Sequence, residues 1–447
     1  MMGQTLHALA WYFPDSSGGT EVYVGALIRE LQALGVGAEV IAASDDQDLC
    51  EYVHNGVPVT RYPVRAATTP WQLRGDEPHW GFERFVAWLR EKSGAIYHQH
   101  AWTYACGLHH LEAAKALGFR TVLTVHVPSN LCMRGTMMRF GNQACDGRLD
   151  EHRCAACWAQ GRGLPRSVAT MLARMPARLS RGAADAARQT RLTTALGARA
   201  LAQDKRAQFG RMVAAADRIV AVCVWLQAAL RRNGVPEAKL VLSRQGVGFD
   251  PAAQAAAQLV ADKTFHVGFL GRWHQTKGLH VLLDALRLLP AELPIQLHIF
   301  GMCSSDEDRA CRAKVLAGLE GDPRLEIEQP VARGQVPAVL ARLHLLAVPS
   351  QCLETGPLVV LEAQAMGVPV LGSRLGGIQE LVTHGVDGWL VDPHDRAAWA
   401  DAMVRAATGR LLPAPAEPRR RVRHMADAAR DMAGLYESLL ADAQSGG

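Results

Sequence analysis

The chain has 447 residues, too many for one typical hydrophobic core, so two domains are expected. Half of the residues are apolar (49%) and a fifth are charged (20%), an ordinary composition for a globular enzyme, and no apolar stretch approaches the length needed to cross a bilayer. The net charge of +5 is modest, and no aromatic interleaving or nucleic-acid motif accompanies the basic residues, so nucleic acid is not an expected partner.

The first thirteen residues lack a basic n-region and lead straight into a glycine turn. They read as an opening strand near Leu6–Tyr12, not a signal peptide, which predicts a cytoplasmic chain whose only membrane contact is peripheral. Gly18-Gly19-Thr20-Glu21 follows, then a helix from about Thr20 to Leu34 and a strand at Val36–Ala42. Glycines between strand and helix let a backbone approach a phosphate closely, and the helix start supplies N–H donors, although Gly-Gly turns are common. Further strands are predicted at Ala95–Gln99 and Thr121–His126, with a helix over Ala105–Leu117 between them. Such alternation predicts a parallel sheet. His98, His100 and His126 all fall at strand ends.

Four of the ten cysteines are concentrated: Cys132, Cys145, Cys154 and Cys157, separated by twelve, eight and two residues. In a cytoplasmic chain such clustering favours a metal over disulfides, and four thiolates can hold one structural zinc. These are not standard finger spacings, His152 could replace one ligand, and an iron–sulfur cluster or four free thiols fit the same residues. Residues 160–211 then carry eleven Arg or Lys against only Asp185 and Asp204. With Val168, Met171, Leu172, Met175 and Leu179 near helical spacing, this segment suits an anionic membrane or a phosphorylated acceptor; a solvated arginine-rich face fits equally.

A strand at Arg218–Cys223, a helix at Trp225–Arg232 and a strand at Lys239–Ser243 complete the first half. An alanine-rich tract runs to Asp262. Strands are then predicted at His266–Leu270, Gln296–Phe300, Leu325–Glu328 and Leu343–Val348. After Pro349 comes a carboxylate pair: Glu354 in a loop and Glu362 about two turns into a helix that Gly356-Pro357 opens. A helix start between two carboxylates suits a ligand with hydroxyls at both ends and phosphates between, as in a nucleotide-sugar. Another strand begins at Val368. The proline-containing stretch Ala407–Arg419 reads as a connector, and Arg420–Ala441 as a helix.

Glu354-x7-Glu362, the upstream Gly268-Phe-Leu-Gly271-Arg272-Trp-His-Gln-Thr-Lys277-Gly278 and the downstream Gly376-Gly-Ile-Gln-Glu380 together resemble the retaining glycosyltransferases of family 4. The resemblance runs along nearly the whole chain. It implies an α/β fold of GT-B architecture: two Rossmann-like domains facing across a cleft, with a last helix crossing back to the first. The domains expected are residues 1–250, with a Cys-rich insertion at about 127–165 and a basic helical segment at about 166–211; residues 262–415; and a crossing helix at 416–447.

The resemblance also implies roles. Arg272 and Lys277 would hold a donor diphosphate, with Gly18, Gly19 and the helix start at Gly356 beside it. Glu354 would contact the donor sugar and Glu362 the ribose. His126 would lie close to the reacting sugar, although the family's usual Asp or Asn neighbour is Val127 here. His98 and His100 would line the acceptor side. No catalytic metal is implied, since cations replace it. The function expected is retaining transfer from a nucleoside-diphosphate sugar to a glycan, lipid-linked or small-molecule acceptor in bacterial polysaccharide or glycoconjugate assembly. The rivals are a nucleotide-sugar epimerase of the same fold and a non-catalytic scaffold.

Overall fold

Short runs rich in Val, Ile, Leu and Ala, apolar on successive residues, suit strands covered on both faces. In the computed structural model, which describes residues 4–16, 18–65, 69–92, 96–185, 190–250, 263–411 and 422–445, they form two largely parallel sheets. The chain divides into one unit of Met1–Gln245 with Met425–Gly447 and a second of Gly246–His424.

The first unit contains β1 (Thr5–Leu9), β2 (Ala38–Ser44), β3 (Cys50–His54), β4 (Val57–Pro63), β5 (Ile96–Gln99), β6 (Arg120–Val125), the small hairpin of β7 (Met138–Arg139) and β8 (Gln143–Ala144), β9 (Arg218–Ala221) and β10 (Leu240–Leu242). Its main sheet runs β10-β9-β6-β5-β1-β2-β4-β3, parallel except for the β3–β4 hairpin. That hairpin was missed in the sequence, although Asn55-Gly56 marks it: both residues have positive φ (49° and 78°), as a two-residue turn of matching twist requires.

Helix Gly19–Ala33 buries Tyr23, Val24, Leu27, Ile28 and Leu31, one stripe of a 3.6-residue repeat. Packed in the same core are Met425, Ala428, Ala429, Met432, Ala433, Tyr436 and Leu439 of the last helix, Met425–Ser445. The chain's final helix thus completes the first unit's core.

The second unit contains β11 (Phe265–Arg272), β12 (Ile295–Met302), β13 (Leu325–Glu328), β14 (Leu345–Val348), β15 (Val370–Ser373) and β16 (Gly388–Val391), in the order β13-β12-β11-β14-β15-β16. Renumbered within the unit, this is 3-2-1-4-5-6, the doubly wound order whose ligand crevice opens at the carboxyl ends of strands 1 and 4. The parallel strands of the first unit repeat this order with a seventh strand, β10, added at the end, so its equivalent point lies between β1 and β5. The predicted alanine-rich tract up to Asp262 and most of the connector lie outside the described residues.

Candidate functional site

In the second unit, β11 and β14 are adjacent, and the turns leaving them carry the predicted donor residues. Arg272 is the last residue of β11 and is exposed. Lys277 ends the turn Gln275–Lys277, and Glu354 lies in the loop between β14 and helix Leu358–Ala365. Lys277 Nζ donates to Glu354 Oε1 at 2.6 Å, and Ser350 Oγ donates to the same oxygen at 2.9 Å. Burial alone would raise the Glu354 carboxyl, but Lys277, Ser350 and the more distant Arg272 charge bring it below its ordinary value. Lys277 is half-buried, and Glu354 more than offsets the desolvation, so the ammonium is held above its ordinary value. Both groups are charged at neutral pH.

Close backbone approaches hold this loop. Gly278 has φ +73°, and a Cβ there would lie 1.7 Å from the Pro349 carbonyl oxygen. Gln351 N–H donates to the Thr276 carbonyl at 2.7 Å, tying the two turns together. On the far side, Gly377 N–H donates to the Glu354 carbonyl at 2.6 Å, and a Cβ on Gly377 would sit 2.7 Å from that oxygen. The downstream Gly376-Gly377 pair therefore positions the Glu354 loop.

Glu362 is on the helix that follows, its side chain 4% exposed, and it pairs with Arg333. Burial raises its carboxyl above the ordinary value, and Arg333 offsets only part of the shift. Arg333 was not singled out in the sequence; it lies in an irregular turn, Arg333–Gln335, with no motif around it. Gly356 stands two residues before the helix, and among the described residues no side chain caps the helix start. Glu354 and Glu362 thus flank a helix N-terminus, as expected, each already held by a cation.

In the first unit, Gly18 is the N-cap of helix Gly19–Ala33 and is exposed together with Gly19. Neither has positive φ. A Cβ on Gly18 would meet Glu21 Oε2 at 2.7 Å, whereas one on Gly19 would meet nothing within 4 Å. The Gly18 contact is with a movable carboxylate, and Gly19 leaves open space at a helix start. From the same helix, Tyr23 packs edge-on against His126, ring centroids 4.8 Å apart.

His126 and His100 are joined by a 3.1 Å hydrogen bond. His98 is fully enclosed, its ring nitrogens 2.6 Å from the Tyr436 hydroxyl and 2.7 Å from Thr124 Oγ1. The expectation that His98 and His100 line an acceptor surface is therefore corrected. His98 is interior because β5 is flanked by β1 and β6, and His100, just past β5, is covered by the rings of His7, Tyr23 and His126.

The four clustered cysteines line one cavity with Met133, Met137 and Met138. Cys154 and Cys157 share a face of helix Glu151–Gly161, and the Phe140 N–H donates to Cys157 Sγ at 3.2 Å. Among the described residues, no three of these sulfurs all lie within 4.8 Å of one another. Burial pushes the Cys154 thiol up to about 11, and desolvation lowers half-buried Lys205 to about 8, with Cys132 pulling the other way. His152 faces elsewhere: Nδ1 is 2.8 Å from the Ala173 carbonyl and Nε2 is 3.2 Å from Glu151. It is not a substitute ligand.

Part of the basic segment braces the fold. Arg181 pairs with Asp204, Arg199 with Glu151 and Arg211 with Glu112. Met171, Leu179 and Leu192 are nonetheless exposed, each by 64% or more. Among the described residues, no helix is long and apolar enough to cross a membrane.

Comparison with known proteins agrees with this architecture. Residues 18–246 match the family described as Glycosyl transferase 4-like domain, and residues 264–408 match Glycosyl transferases group 1. The chain is 37% identical over 160 residues to a D-inositol 3-phosphate glycosyltransferase of Pseudarthrobacter chlorophenolicus, covering 34% of this chain and 38% of that protein. It is 33% identical over 182 residues to the protein of that name from Corynebacterium urealyticum, covering 39% and 43%. The matched regions span about two fifths of these relatives' length.

Among solved structures, sucrose-phosphate synthase from Thermosynechococcus elongatus superposes with a TM-score of 0.63 at 19% identity, covering 98% of this chain and 100% of that one. HepE from Anabaena, in complex with UDP and glucose, gives 0.59 at 15% identity, with the same coverage. At such identities the likeness speaks for the fold, which is GT-B. Because the first family match spans half its length, this chain belongs to the glycosyl transferase 4-like family.

Proposed function

We propose that the protein is a retaining glycosyltransferase that moves a sugar from a nucleoside-diphosphate donor to a hydroxyl-bearing acceptor. The observation that carries this reading is the Lys277–Glu354–Ser350 cluster beside Arg272, at the strand ends where a doubly wound sheet binds its ligand. An ammonium has three donors, and among the described residues Lys277 commits one to Glu354, leaving two for diphosphate oxygens. Arg272, exposed beside it, supplies a planar fork for the same group. With the helix start after Gly356 they would stabilise charge developing on the leaving diphosphate, without a catalytic metal, and the family resemblance assigns the Gly18–Gly19 amides to the same group. Ionised Glu354 accepts from donor-sugar hydroxyls, a positioning role, and Glu362 accepts from the ribose. The family resemblance assigns His126 a place near the reacting sugar. With retention, the acceptor hydroxyl attacks on the face from which the diphosphate leaves, and a donor phosphate oxygen takes its proton.

Two relatives carry the name D-inositol 3-phosphate glycosyltransferase, which makes a phosphorylated polyol one acceptor to try beside glycans and lipid-linked sugars. Bacterial polysaccharide or glycoconjugate assembly is the proposed setting. The exposed Met171, Leu179 and Leu192 in a segment rich in arginine support peripheral contact with an anionic membrane. Co-sedimentation with anionic but not neutral vesicles is expected; equal binding to both would remove that part.

A structural zinc at Cys132, Cys145, Cys154 and Cys157 belongs to the same reading. Four thiols share one cavity, and an amide already donates to Cys157 Sγ. Elemental analysis is expected to find about one zinc per chain, lost in Cys157→Ser together with thermal stability. Unaltered metal content in that variant would count against the site.

The test of the donor site is a thermal-shift screen of the whole protein against UDP, GDP, ADP, TDP and their sugar conjugates. One base is expected to stabilise selectively, and Arg272→Ala is expected to abolish both the shift and most of the turnover. Unchanged turnover in Arg272→Ala would overturn the donor-site assignment. No shift, transfer or donor hydrolysis with any nucleotide would favour a non-catalytic scaffold.

A further inference from the structure

Four histidines from neighbouring strands gather inside the first unit: His7 on β1, His98 on β5, His100 just past β5 and His126 just past β6. None is more than 6% exposed. His7 and His98 are paired across the sheet, and the rings of His7 and His100 stack. Three of the four form a single file of hydrogen bonds. His7 Nε2 is 3.1 Å from Thr5 Oγ1, His7 Nδ1 is 3.1 Å from His100 Nε2, and His100 Nδ1 is 3.1 Å from His126 Nε2.

The far end of this file has a fixed direction. Thr5 Oγ1 lies 2.9 Å from the Gly37 carbonyl oxygen. A carbonyl can only accept, so the single hydroxyl proton of Thr5 points there. Thr5 must then accept from His7, which places the His7 proton on Nε2. Burial lowers His7 and His126 to about 3 and His100 well below the ordinary value, so each ring is neutral, with one donor and one acceptor. With Nε2 donating, His7 accepts at Nδ1 from the His100 Nε2–H. His100 in turn accepts at Nδ1 from the His126 Nε2–H. A single hydroxyl orients three imidazoles.

We propose that this directed file fixes His126 as its Nε2–H tautomer, so that Nδ1 carries the lone pair and recognises a hydroxyl donor instead of a phosphate or carboxylate oxygen. Thr5, His7 and His100 are positioning residues: they act on a ligand only through His126. On the glycosyl-transfer reading, on which the naming of that ligand rests, the hydroxyl belongs to a sugar.

A cation is the competing use of these residues, because nitrogens of His7, His98 and His100 lie within 4.8 Å of one another. Every ring nitrogen of the three is already in a hydrogen bond, His98 to Tyr436 and Thr124 included. A metal would have to break several of these at once. The ordered file is the arrangement that the geometry favours.

The test is the tautomer itself, read from long-range proton–nitrogen correlations of the full chain labelled with 15N-histidine, without ligand, at neutral pH. His126 is expected to be protonated on Nε2 and bare on Nδ1. Thr5→Val removes the acceptor that sets the direction, so the file reverses and His126 shifts toward Nδ1–H; Thr5→Ser keeps the native pattern. An Nδ1–H tautomer or an imidazolium at His126 in the unmodified protein overturns the proposal, whether or not any variant folds. So does an unchanged tautomer in folded Thr5→Val. Because this spectrum needs no substrate, an Nε2–H tautomer in a protein that transfers no sugar would sink the transferase reading and leave the file standing.

Discussion

Glu354 and Glu362 are alike in the sequence, yet their surroundings move them in opposite directions. Glu354 sits below its ordinary value of 4.5, so its contribution to stability is present above that pH and is lost as pH falls through the lowered value. Lys277→Met removes the main compensation for its burial. The variant is expected to melt lower at pH 7, with Glu354 titrating higher, and to lose roughly a hundredfold in turnover. A pH series of melting temperatures and steady-state rates would show both. Glu362 is raised above 4.5, so protonation favours the folded state: its contribution is full below 4.5 and is lost as pH rises through the raised value. Its charge at pH 7 is therefore a cost to folding, which the proposed contact with the ribose would explain. Glu362→Gln, leaving Arg333 hydrated at 43% exposure, is expected to melt higher at pH 7 and bind the nucleoside diphosphate more weakly. The gain in melting temperature should shrink as pH falls below about 4.5. A variant that melts lower at pH 7 would contradict this account.

At the scale of elements, the glycine pairs explain how a loop between strand and helix holds a carboxylate in place. Gly377→Ala forces a Cβ against the Glu354 and Thr355 carbonyl oxygens, 2.7 and 2.8 Å away. Overpacking of this kind costs about 1–3 kcal/mol, and here it displaces the loop that aims Glu354. Denaturant unfolding and kcat/KM are both expected to fall in that variant; full activity would mean that the loop is aimed by something else. The motif around Gly376 was visible in the sequence, but its use was not, because a close approach joins backbones far apart in the chain. Arg333 was missed for a related reason: it reaches Glu362 from an irregular turn without periodicity. The β3–β4 hairpin, by contrast, was announced by Asn55-Gly56 and could have been found locally.

At the scale of the molecule, the last helix makes the first unit depend on the chain's far end. Its buried stripe from Met425 to Leu439 covers the core beside helix Gly19–Ala33, and the Tyr436 hydroxyl meets His98 at 2.6 Å. Removing residues 425–447 is expected to expose that core and yield an aggregating chain, whereas Tyr436→Phe should cost about 1 kcal/mol in unfolding free energy. Size-exclusion chromatography of the truncated chain checks the first expectation, and chemical denaturation of the variant the second. A monomeric, cooperatively melting truncation would show that the first unit is complete without the helix.

The sequence by itself determined the alternation of strands and helices, the class of fold and the residues flanking the second unit's helix start. Those signals are local: hydrophobic period, glycine and proline punctuation, and charges spaced along one turn and helix. Only the tertiary structure decided that Lys277 holds Glu354, that Arg333 holds Glu362, that His152 turns away from the thiols and that His98 and His100 are interior. It also placed Thr5 and His7 in line with His126. Each of these depends on which strands are neighbours, and strand order in a doubly wound sheet is fixed by crossovers and burial over the whole chain, not by the residues beside the site.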